Sequence, residues 1–326
     1  MNVIFGDNAQ GKTNLLEAIS LISTGRSFRT QHLAEIIQEG KSFFYLEAEI
    51  LQNKVTQTIK LSYDGTAKKI HLNANEFSSF TPLLGAFPSI FSLPSDTDLI
   101  TDSPTLRRKM INLHLAQSDP LYVHHLSRFW RAMKQRNCLL KSKTLETLDC
   151  WETEMAHSAQ YIFGARKTLL EQLQEPLALQ SRSLSSNAET VEIHFHPTYP
   201  PLAQNYEEQL KKTRKREKEL GLTLQGPHRD DLLFLTNKKN ARTFASEGQK
   251  KTMITALRLC QWQHLAKKTE LSPLFAIDDY EGTLDIHRQN HLNAFLETMG
   301  QVFLTTPSPP KKSSMHLIHI KCGNVI

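Results

Sequence analysis

The sequence has no long apolar run, few cysteines and little net charge. None of its 326 residues belongs to an uninterrupted apolar stretch of roughly 20 residues, the length that a membrane-spanning helix requires. The four cysteines are scattered and form no C-x-x-C pair, which argues against a zinc site or a disulfide framework and fits a reducing compartment. The net charge is +6, which by itself is weak support for a polyanionic partner.

The first residues of the chain contain neither a basic segment nor a small-residue cleavage site. We therefore expect no secretory signal peptide, no membrane partner and a cytoplasmic location. Apolar residues make up 39% of the chain, which is enough for a packed core and excludes a mostly disordered protein. The length predicts one large or two medium domains.

Hydrophobic periodicity divides the chain into two α/β parts and a helical part between them. A short apolar strand and an amphipathic helix open the chain, and alternating apolar positions over 44–72 predict an antiparallel meander. Helical periodicity prevails over 97–186, and strands and helices alternate again after it. We predict an α/β fold in which 1–96 and 187–326 form one discontinuous domain and 97–186 is a helical insertion.

The segment 6–13 matches the pattern G-x-x-x-x-G-K-[ST] in full. It consists of Gly6, Asp7, Asn8, Ala9, Gln10, Gly11, Lys12 and Thr13. The two glycines let consecutive backbone N–H groups turn toward a phosphate, and the following helix adds its positive N-terminal end. The lysine reaches the β- and γ-phosphates of a nucleotide, and the threonine hydroxyl binds Mg²⁺. The strand before and the helix after favour a nucleotide site over a chance glycine-rich turn.

An acidic pair, Asp278-Asp279, follows the apolar strand predicted over 274–277. In P-loop NTPases, an acidic side chain beside the P-loop holds the Mg²⁺ ion. We expect Asp278 and Thr13 to be the metal ligands, and Asp279 to act as the general base that polarises the attacking water. By itself, an apolar strand followed by two aspartates is also typical of a strand that ends in a polar turn. The interpretation of Asp278 and Asp279 as metal ligand and base therefore depends on the presence of the P-loop.

The segment 246–249 is a candidate for a second anion-binding element. Ser246 is a favourable residue at a helix start, so the segment is also an ordinary capped N-terminus. Ser246, Gly248 and Gln249 together offer a hydroxyl, a bare backbone and an amide beside the positive end of a helix. Such an element suits a phosphate that is presented by a second copy of the chain.

The tract 126–143 of the helical region is basic and contains no acidic residue. Arg128, Arg131, Lys134 and Arg136 lie in it, and the first three share one helix face because they are three residues apart. Such side chains bind nucleic-acid phosphates without sequence preference, and a solvated helix face is the equal alternative. Trp130 fits a core position better than a base-stacking platform.

Taken together, these motifs resemble the ABC-type ATPase heads of structural-maintenance-of-chromosomes proteins, and more closely the RecF family of bacterial DNA replication and repair proteins. The resemblance is carried by the P-loop, the 246–249 signature, Asp278-Asp279, Leu284-Asp285 and the segments 25–30, 131–137, 139–141, 226–232 and 301–306. The G-P-H-R-D-D run at 226–231 is the most distinctive of these. Its polar side chains form either a network beside the nucleotide or a hairpin turn.

The resemblance implies a P-loop NTPase of the ABC head type with an inserted helical lid and with ATP and Mg²⁺ as cofactors. It implies an ATP-dependent homodimer in which Ser246, Gly248 and Gln249 contact the nucleotide of the partner copy. It further implies binding to single-stranded, gapped and linear duplex DNA, RecR and RecO-like mediators as partners, and roles in recombinase loading and SOS induction. ATP hydrolysis would be slow, DNA-stimulated and used as a switch. The alternative is a P-loop kinase or another small-molecule NTPase, which the Ser-x-Gly-Gln signature disfavours.

Two segments depart from the family pattern. Glu247, Lys250 and Lys251 stand where the family usually has Gln, Gln and Arg, and Gly282-Thr283 replaces a Ser-Glu pair. We expect these changes to affect hydrolysis and dimer contacts more than ATP binding.

Overall fold

The computed structural model describes residues 1–142, 146–310 and 315–326. The strands are β1 Asn2–Phe5, β2 Phe44–Gln52, β3 Val55–Tyr63, β4 Lys68–Leu72, β5 Asn75–Phe77, β6 Ser89–Ser92, β7 Val191–His196, β8 Asp231–Thr236, β9 Lys239–Asn240, β10 Leu274–Ile277, β11 Val302–Thr306, β12 His316–Lys321 and β13 Asn324–Val325. The helices are α1 Lys12–Thr24, α2 Asp98–Thr101, α3 Pro104–Ser118, α4 Pro120–Ser142, α5 Leu148–Leu184, α6 Ala203–Leu220, α7 Ala241–Phe244, α8 Glu247–Thr269, α9 Tyr280–Thr283 and α10 Ile286–Leu296.

The chain forms two compact units. The first unit contains Met1–Thr97, Gln180–Ala188 and Ser246–Ile326, and the second contains Asp98–Leu179 and Glu189–Ala245. This division differs from the sequence expectation, which assigned all of 187–326 to the discontinuous domain. The segment 189–245 belongs to the second unit because β8 pairs with β7 and packs on α3, and because α6 packs on α4.

A six-stranded sheet forms the centre of the first unit. Its strand order is β13-β12-β1-β11-β10-β6, and every neighbouring pair is parallel except the β12–β13 hairpin. β10 is a continuous apolar run and β1 is apolar from Val3 to Phe5, as expected for parallel strands that are covered on both faces. The order places the carboxyl ends of β1, β10 and β11 side by side. The P-loop and the acidic pair therefore leave the sheet at the same edge.

The predicted meander over 44–72 is confirmed as the antiparallel sheet β2-β3-β4-β5 of the first unit. Its buried positions, among them Ile59, Leu61 and Ile70, pack against Leu21 and Ile22 of α1. This contact buries one face of α1 and orients the helix that follows the P-loop.

The second unit contains helices α2–α4, α6 and α7, most of α5, and the antiparallel sheet β7-β8-β9. The helices predicted within 97–186 are confirmed, but the unit is not a purely helical insertion. β8 and β9 form a hairpin that ends at Asn240, where α7 follows. Its two-residue turn, Asn237-Lys238, has φ of 48° and 64°, which matches a tight hairpin turn. Within the described parts of the chain, no helix has the length and apolar character needed to cross a bilayer.

Candidate functional site

The segment between β1 and α1 curls as a phosphate-binding loop must. Gly6 has φ of 152° and Gly11 has φ of 104°, values that side-chain-bearing residues rarely adopt. A Cβ atom on Gly6 would lie 2.2 Å from the backbone oxygen of Ile320 in β12. Glycine is therefore required at this position by both the backbone conformation and the close approach of the neighbouring strand.

The C-terminal hairpin β12–β13 supports this loop, and the sequence reasoning missed it. The backbone N–H of Cys322 donates to Gln10 Oε1 at 2.6 Å, and that of Gly323 donates to the Gln10 carbonyl oxygen at 2.9 Å. The side chain of Gln10 thus anchors the loop. The apolar spacing of Ile318 and Ile320 before a glycine is the signal that predicts such a hairpin.

Lys12 folds back over the loop that precedes it. Its Nζ donates to the carbonyl oxygens of Gly6 at 2.5 Å and of Asp7 at 2.9 Å. These two acceptors hold the ammonium group at the mouth of the loop. Phosphate oxygens are stronger acceptors for an ammonium group than neutral carbonyls, because they carry charge.

The acidic pair meets the P-loop at the end of β10. Thr13 Oγ1 donates to Asp278 and lies 3.0 Å from both of its carboxylate oxygens. Thr305 Oγ1, at the end of β11, donates to Asp278 Oδ1 at 2.7 Å and accepts from the backbone N–H of Asp279 at 2.8 Å. Three neighbouring elements therefore converge on one carboxylate.

The oxygen atoms at this point fit a magnesium ion. Mg²⁺ prefers hard oxygen ligands and usually keeps several waters while one or two protein groups and substrate phosphates complete its shell. The Thr13 hydroxyl and the Asp278 carboxylate are such groups and already lie within hydrogen-bond distance of each other. Within the described residues no cluster of three or more His, Cys, Asp or Glu side chains is arranged as a metal site.

A cavity of about 390 Å³ opens beside these residues. It brings together Asn8, Ala9, Gly11, Lys12, Thr13, Asp278 and Asp279, all of which the sequence reasoning singled out. Gly6, Asp7 and Gln10 do not line it. The carbonyl oxygens of Gly6 and Asp7 accept hydrogen bonds from Lys12, and Gln10 accepts from the C-terminal hairpin.

Four further polar residues line the same cavity and were not predicted. They are Asn14, Arg29, Thr305 and Thr306. Arg29 donates to Asn14 Oδ1 at 2.7 Å, and so its positive charge lies near the start of α1. Their positions could have pointed to three of them. Arg29 lies in the segment 25–30 and both threonines lie in the segment 301–306, and both segments carry the family resemblance.

Asp279 has an unusual backbone conformation for a non-glycine residue, with φ of 53° and ψ of 56°. Its carboxylate packs against Gly282, where an added Cβ atom would lie 2.5 Å from Asp279 Oδ2. Gly282, one of the departures from the family pattern, therefore leaves space that the Asp279 side chain occupies. Lys251, another departure, donates to the Gly282 carbonyl oxygen at 2.7 Å.

The signature segment forms the N-terminus of α8. Ser246 and Gln249 form a capping box: Gln249 N–H donates to Ser246 Oγ at 3.3 Å, and Ser246 N–H donates to Gln249 Oε1 at 2.9 Å. The capped helix start that the sequence offered as an alternative is thus confirmed. Ser246 and Gly248 are exposed, and open space surrounds the Cα of Gly248. Contact with the nucleotide of a second copy remains a prediction.

The assignment of Arg136 to DNA binding was wrong. Arg136 is completely buried, and its guanidinium group donates to Glu152 at 3.0 Å and to Glu217 at 2.6 Å. It connects α4 with α5 and α6 and has no access to a ligand. Arg128 is exposed but forms an ion pair with Glu154, whereas Arg131 and Lys134 are exposed and have no ion-pair partner within the described part of the chain.

The interpretation of Trp130 as a core residue was also wrong. Its side chain is 46% exposed, while the neighbouring Phe129 is completely buried. α4 turns Phe129 inward and Trp130 outward because adjacent residues on a helix lie about 100° apart.

The G-P-H-R-D-D run forms a polar network within the second unit. Arg166 donates to Asp230 at 2.6 Å, and Arg107 donates to Asp231 at 2.7 Å. Burial raises the pKa of Asp230, and the charge of Arg166 opposes this shift. Burial also lowers the pKa of His228 to about 4, so its ring is neutral at physiological pH. These contacts connect the 226–231 run to α3 and α5, which gives the run a structural role.

Comparison with known proteins shows close relatives over most of the chain. No protein-family model matches it. The DNA replication and repair protein RecF of Protochlamydia amoebophila is 40% identical over 315 residues, which cover 94% of this chain and 88% of that protein. RecF of Chlamydia caviae is 37% identical over 322 residues, which cover 96% of this chain and 87% of that protein.

Solved structures agree with these relatives. A structure described as the recombination mediator protein RecF-ATP in the RecFOR pathway has a TM-score of 0.91 and 28% identity, and the match covers 100% of this chain and 90% of that one. The Smc head domain of Pyrococcus furiosus has a TM-score of 0.54 at 14% identity, over 98% of this chain and 87% of that one, and shares the fold alone. The expected ABC-type P-loop ATPase fold is confirmed. The chain belongs to the RecF family of DNA replication and repair proteins.

Proposed function

We propose that this protein is an ATP-switched DNA-binding protein of recombinational repair and replication restart. The observation that carries the proposal is the meeting of Thr13 and Asp278 at 3.0 Å beside the P-loop, although 265 positions separate them in the sequence. This arrangement offers a hydroxyl and a carboxylate to Mg²⁺ next to a loop that binds phosphate. Family membership supports the DNA context.

ATP would occupy the 390 Å³ cavity between the P-loop and the acidic pair. The backbone N–H groups of the loop and Lys12 would bind the phosphates, and Thr13 and Asp278 would hold Mg²⁺, which would supply positive charge to offset that of the phosphates. Asp279 takes the proton of the attacking water. The expected activity is a slow, DNA-stimulated ATPase that acts as a switch.

The first unit would act as the ATPase head of an ATP-dependent homodimer. Ser246 Oγ accepts a hydrogen bond within the capping box, which leaves its O–H free to donate to a phosphate oxygen. Gly248 is exposed and lets a phosphate approach the backbone. These features support a contact between the signature of one copy and the nucleotide of the other.

DNA would be bound without sequence preference, as single strands and as gapped or linear duplexes. Arg131 and Lys134 are the predicted phosphate contacts that remain exposed and unpaired in the described parts of α4. RecR and RecO-like mediators are the proposed partners, and recombinase loading and SOS induction in the cytoplasm are the proposed roles. The description of related structures as members of the RecFOR pathway supports this part.

The test is a DNA-binding titration by fluorescence anisotropy with ATP, with ADP and without nucleotide. We expect ATP and Mg²⁺ to raise DNA affinity in the wild type but not in Lys12→Ala. Lys41→Ala, which removes an exposed lysine that does not line the cavity, should behave as the wild type. Equal DNA affinity in all nucleotide states would contradict the switch. Rapid phosphate transfer to a small metabolite, indifferent to DNA, would favour the alternative of a small-molecule kinase.

A further inference from the structure

The outer face of α4 carries an aromatic ring among basic side chains. Trp130, Arg131 and Lys134 are exposed, and Lys134 is the surface neighbour of both other residues, because it lies four positions after Trp130 and three after Arg131. Phe129 and Ala132 of the same helix are buried, which fixes the rotation of α4 about its axis. We call the three exposed residues the Trp130 ridge.

The charges of the Trp130 ridge are available to a ligand. Arg131 and Lys134 have no ion-pair partner within the described residues, whereas the neighbouring Arg128 is neutralised by Glu154. Two positive charges therefore accompany the exposed indole ring, and the carboxylate near Arg131, that of Glu154, pairs with Arg128 instead. This pattern favours an anionic partner that also carries flat apolar surfaces.

Further aromatic and basic groups lie on both sides of the ridge. On one side, the ring of Trp130 lies 6.3 Å from the ring of His228, edge to face, and the next residue, Arg229, is exposed. On the other side, Arg131 lines a groove of about 380 Å³ together with Trp151. Of the three tryptophans in the chain, one thus belongs to the ridge and a second, Trp151, borders it.

We propose that the Trp130 ridge is a base-stacking site for single-stranded DNA. Trp130 stacks on an unpaired base, and Arg131 and Lys134 bind the adjacent phosphates. Every base has an apolar face, so stacking requires no particular sequence, but a base inside a duplex cannot offer that face. The inference rests on the proposed DNA-binding function and assigns single-strand recognition to one place in the second unit.

Binding of a labelled oligothymidylate to the full chain tests this assignment. Trp130→Ala is expected to weaken affinity by about five- to a hundred-fold, as loss of one base-stacking contact does, and Trp130→Phe to recover most of it. The salt dependence of binding should not change in Trp130→Ala, whereas Lys134→Gln should lower the slope of log K against log[salt] by about 0.7. Leu121→Ala, which removes another exposed apolar side chain of α4, serves as the control and should bind as the wild type.

A second measurement reports on the ring directly. The double variant Trp151→Phe/Trp262→Phe leaves Trp130 as the sole tryptophan, and its fluorescence should be quenched by oligothymidylate but not by an abasic oligonucleotide of equal length. Unchanged affinity in Trp130→Ala together with no quenching would overturn the inference.

The same variants separate this inference from the proposed switch. Duplex binding with and without ATP is measured in Trp130→Ala. A retained ATP effect with unchanged oligothymidylate binding rejects only the ridge. Weakened oligothymidylate binding in a protein that ATP never affects rejects only the switch.

Discussion

The hydroxyl of Thr305 connects both members of the acidic pair, since it donates to Asp278 Oδ1 at 2.7 Å and accepts from the backbone N–H of Asp279 at 2.8 Å. One residue at the end of β11 thus orients the carboxylate that would hold the metal and the backbone of the proposed base. Thr305 contacts both without belonging to either motif.

We expect Thr305→Val, which keeps the shape of the side chain but removes the hydroxyl, to reduce ATP turnover about ten- to a hundred-fold. Hydrogen bonds to charged groups contribute about 1.5–3 kcal/mol, and this variant loses one such bond and leaves the Asp279 N–H without its acceptor. Nucleotide affinity should fall less than turnover, because the contacts of the P-loop with the phosphates are kept while Thr305 lines only one side of the cavity. Single-turnover hydrolysis and a nucleotide titration measure the two effects, and Thr305→Ser should restore turnover. Equal turnover in the valine variant would show that Thr305 does not position the pair.

Lys12→Ala should weaken nucleotide binding about ten- to a hundred-fold, the effect of losing charge-assisted hydrogen bonds to phosphate. The fold should persist, because among the described residues the side chain of Lys12 donates only to carbonyl oxygens of its own loop, those of Gly6 and Asp7. Isothermal titration with ATP and Mg²⁺ measures the affinity, and circular dichroism checks the fold. Lys41→Ala is the matched control, and wild-type affinity in Lys12→Ala would contradict the site.

Gly6→Ala should both destabilise the first unit and abolish nucleotide binding. The new Cβ would meet the Ile320 backbone oxygen at 2.2 Å, so the loop or β12 must move. Gly40→Ala provides the comparison, because Gly40 also has positive φ, of 78°, but has open space around its Cα. In Gly40→Ala, backbone strain should lower the free energy of unfolding by only about 1–2 kcal/mol, and nucleotide binding should be normal. Thermal unfolding and a nucleotide titration distinguish the two.

Arg136 and Arg131 should respond in opposite ways to substitution. Arg136→Met leaves Glu152 and Glu217 buried without this partner, and the free energy of unfolding should fall by about 3–5 kcal/mol. Arg131→Gln, at an exposed position, should change stability by less than about 0.5 kcal/mol but should weaken DNA binding and its salt dependence. Urea unfolding and DNA titrations measure both quantities. A stable Arg136→Met protein would contradict the buried ion-pair network.

The stability of the second unit should fall in mild acid because of His228. Its pKa is lowered by burial from 6.5 to about 4. Below pH 6.5 the unfolded chain takes up a proton at this ring while the folded chain does not, so the free energy of unfolding falls as the pH falls toward 4. The loss approaches about 3 kcal/mol.

The variant His228→Gln lacks this titrating ring and therefore does not lose stability through it. Its free energy of unfolding should rise relative to that of the wild type as the pH is lowered. Urea unfolding at several pH values between 7.5 and 4.5 measures it, with both proteins in the Trp151→Phe/Trp262→Phe background so that fluorescence reports on the adjacent Trp130. His264, whose pKa is also lowered to about 4, is present in both proteins and cancels in the comparison. Parallel stability curves would contradict the prediction.

Much of the nucleotide site could be predicted because its chemistry depends on residues close together in the chain. The P-loop needs glycines, a lysine and a threonine at set spacing between a strand and a helix, and β1 and α1 lie where hydrophobic periodicity predicts them. The same holds for Asp278 at the end of a four-residue apolar strand. Thr305 and the anchoring of Gln10 by the C-terminal hairpin could not be predicted, because these contacts exist only after strands distant in sequence have paired.

The basic stretch of α4 marks the limit of sequence reasoning most clearly. Arg131 and Arg136 are the same type of residue on one helix, five positions and about 140° apart. The sequence by itself determined that they lie on a helix with an apolar and a polar side, and that a phosphate loop stands near the amino end of the chain. Only the tertiary structure decided that Arg136 meets Glu152 and Glu217 in the interior while Arg131 faces water. The partners of Arg136 lie 16 and 81 positions away in the sequence, and folding alone brings them within hydrogen-bond distance of it.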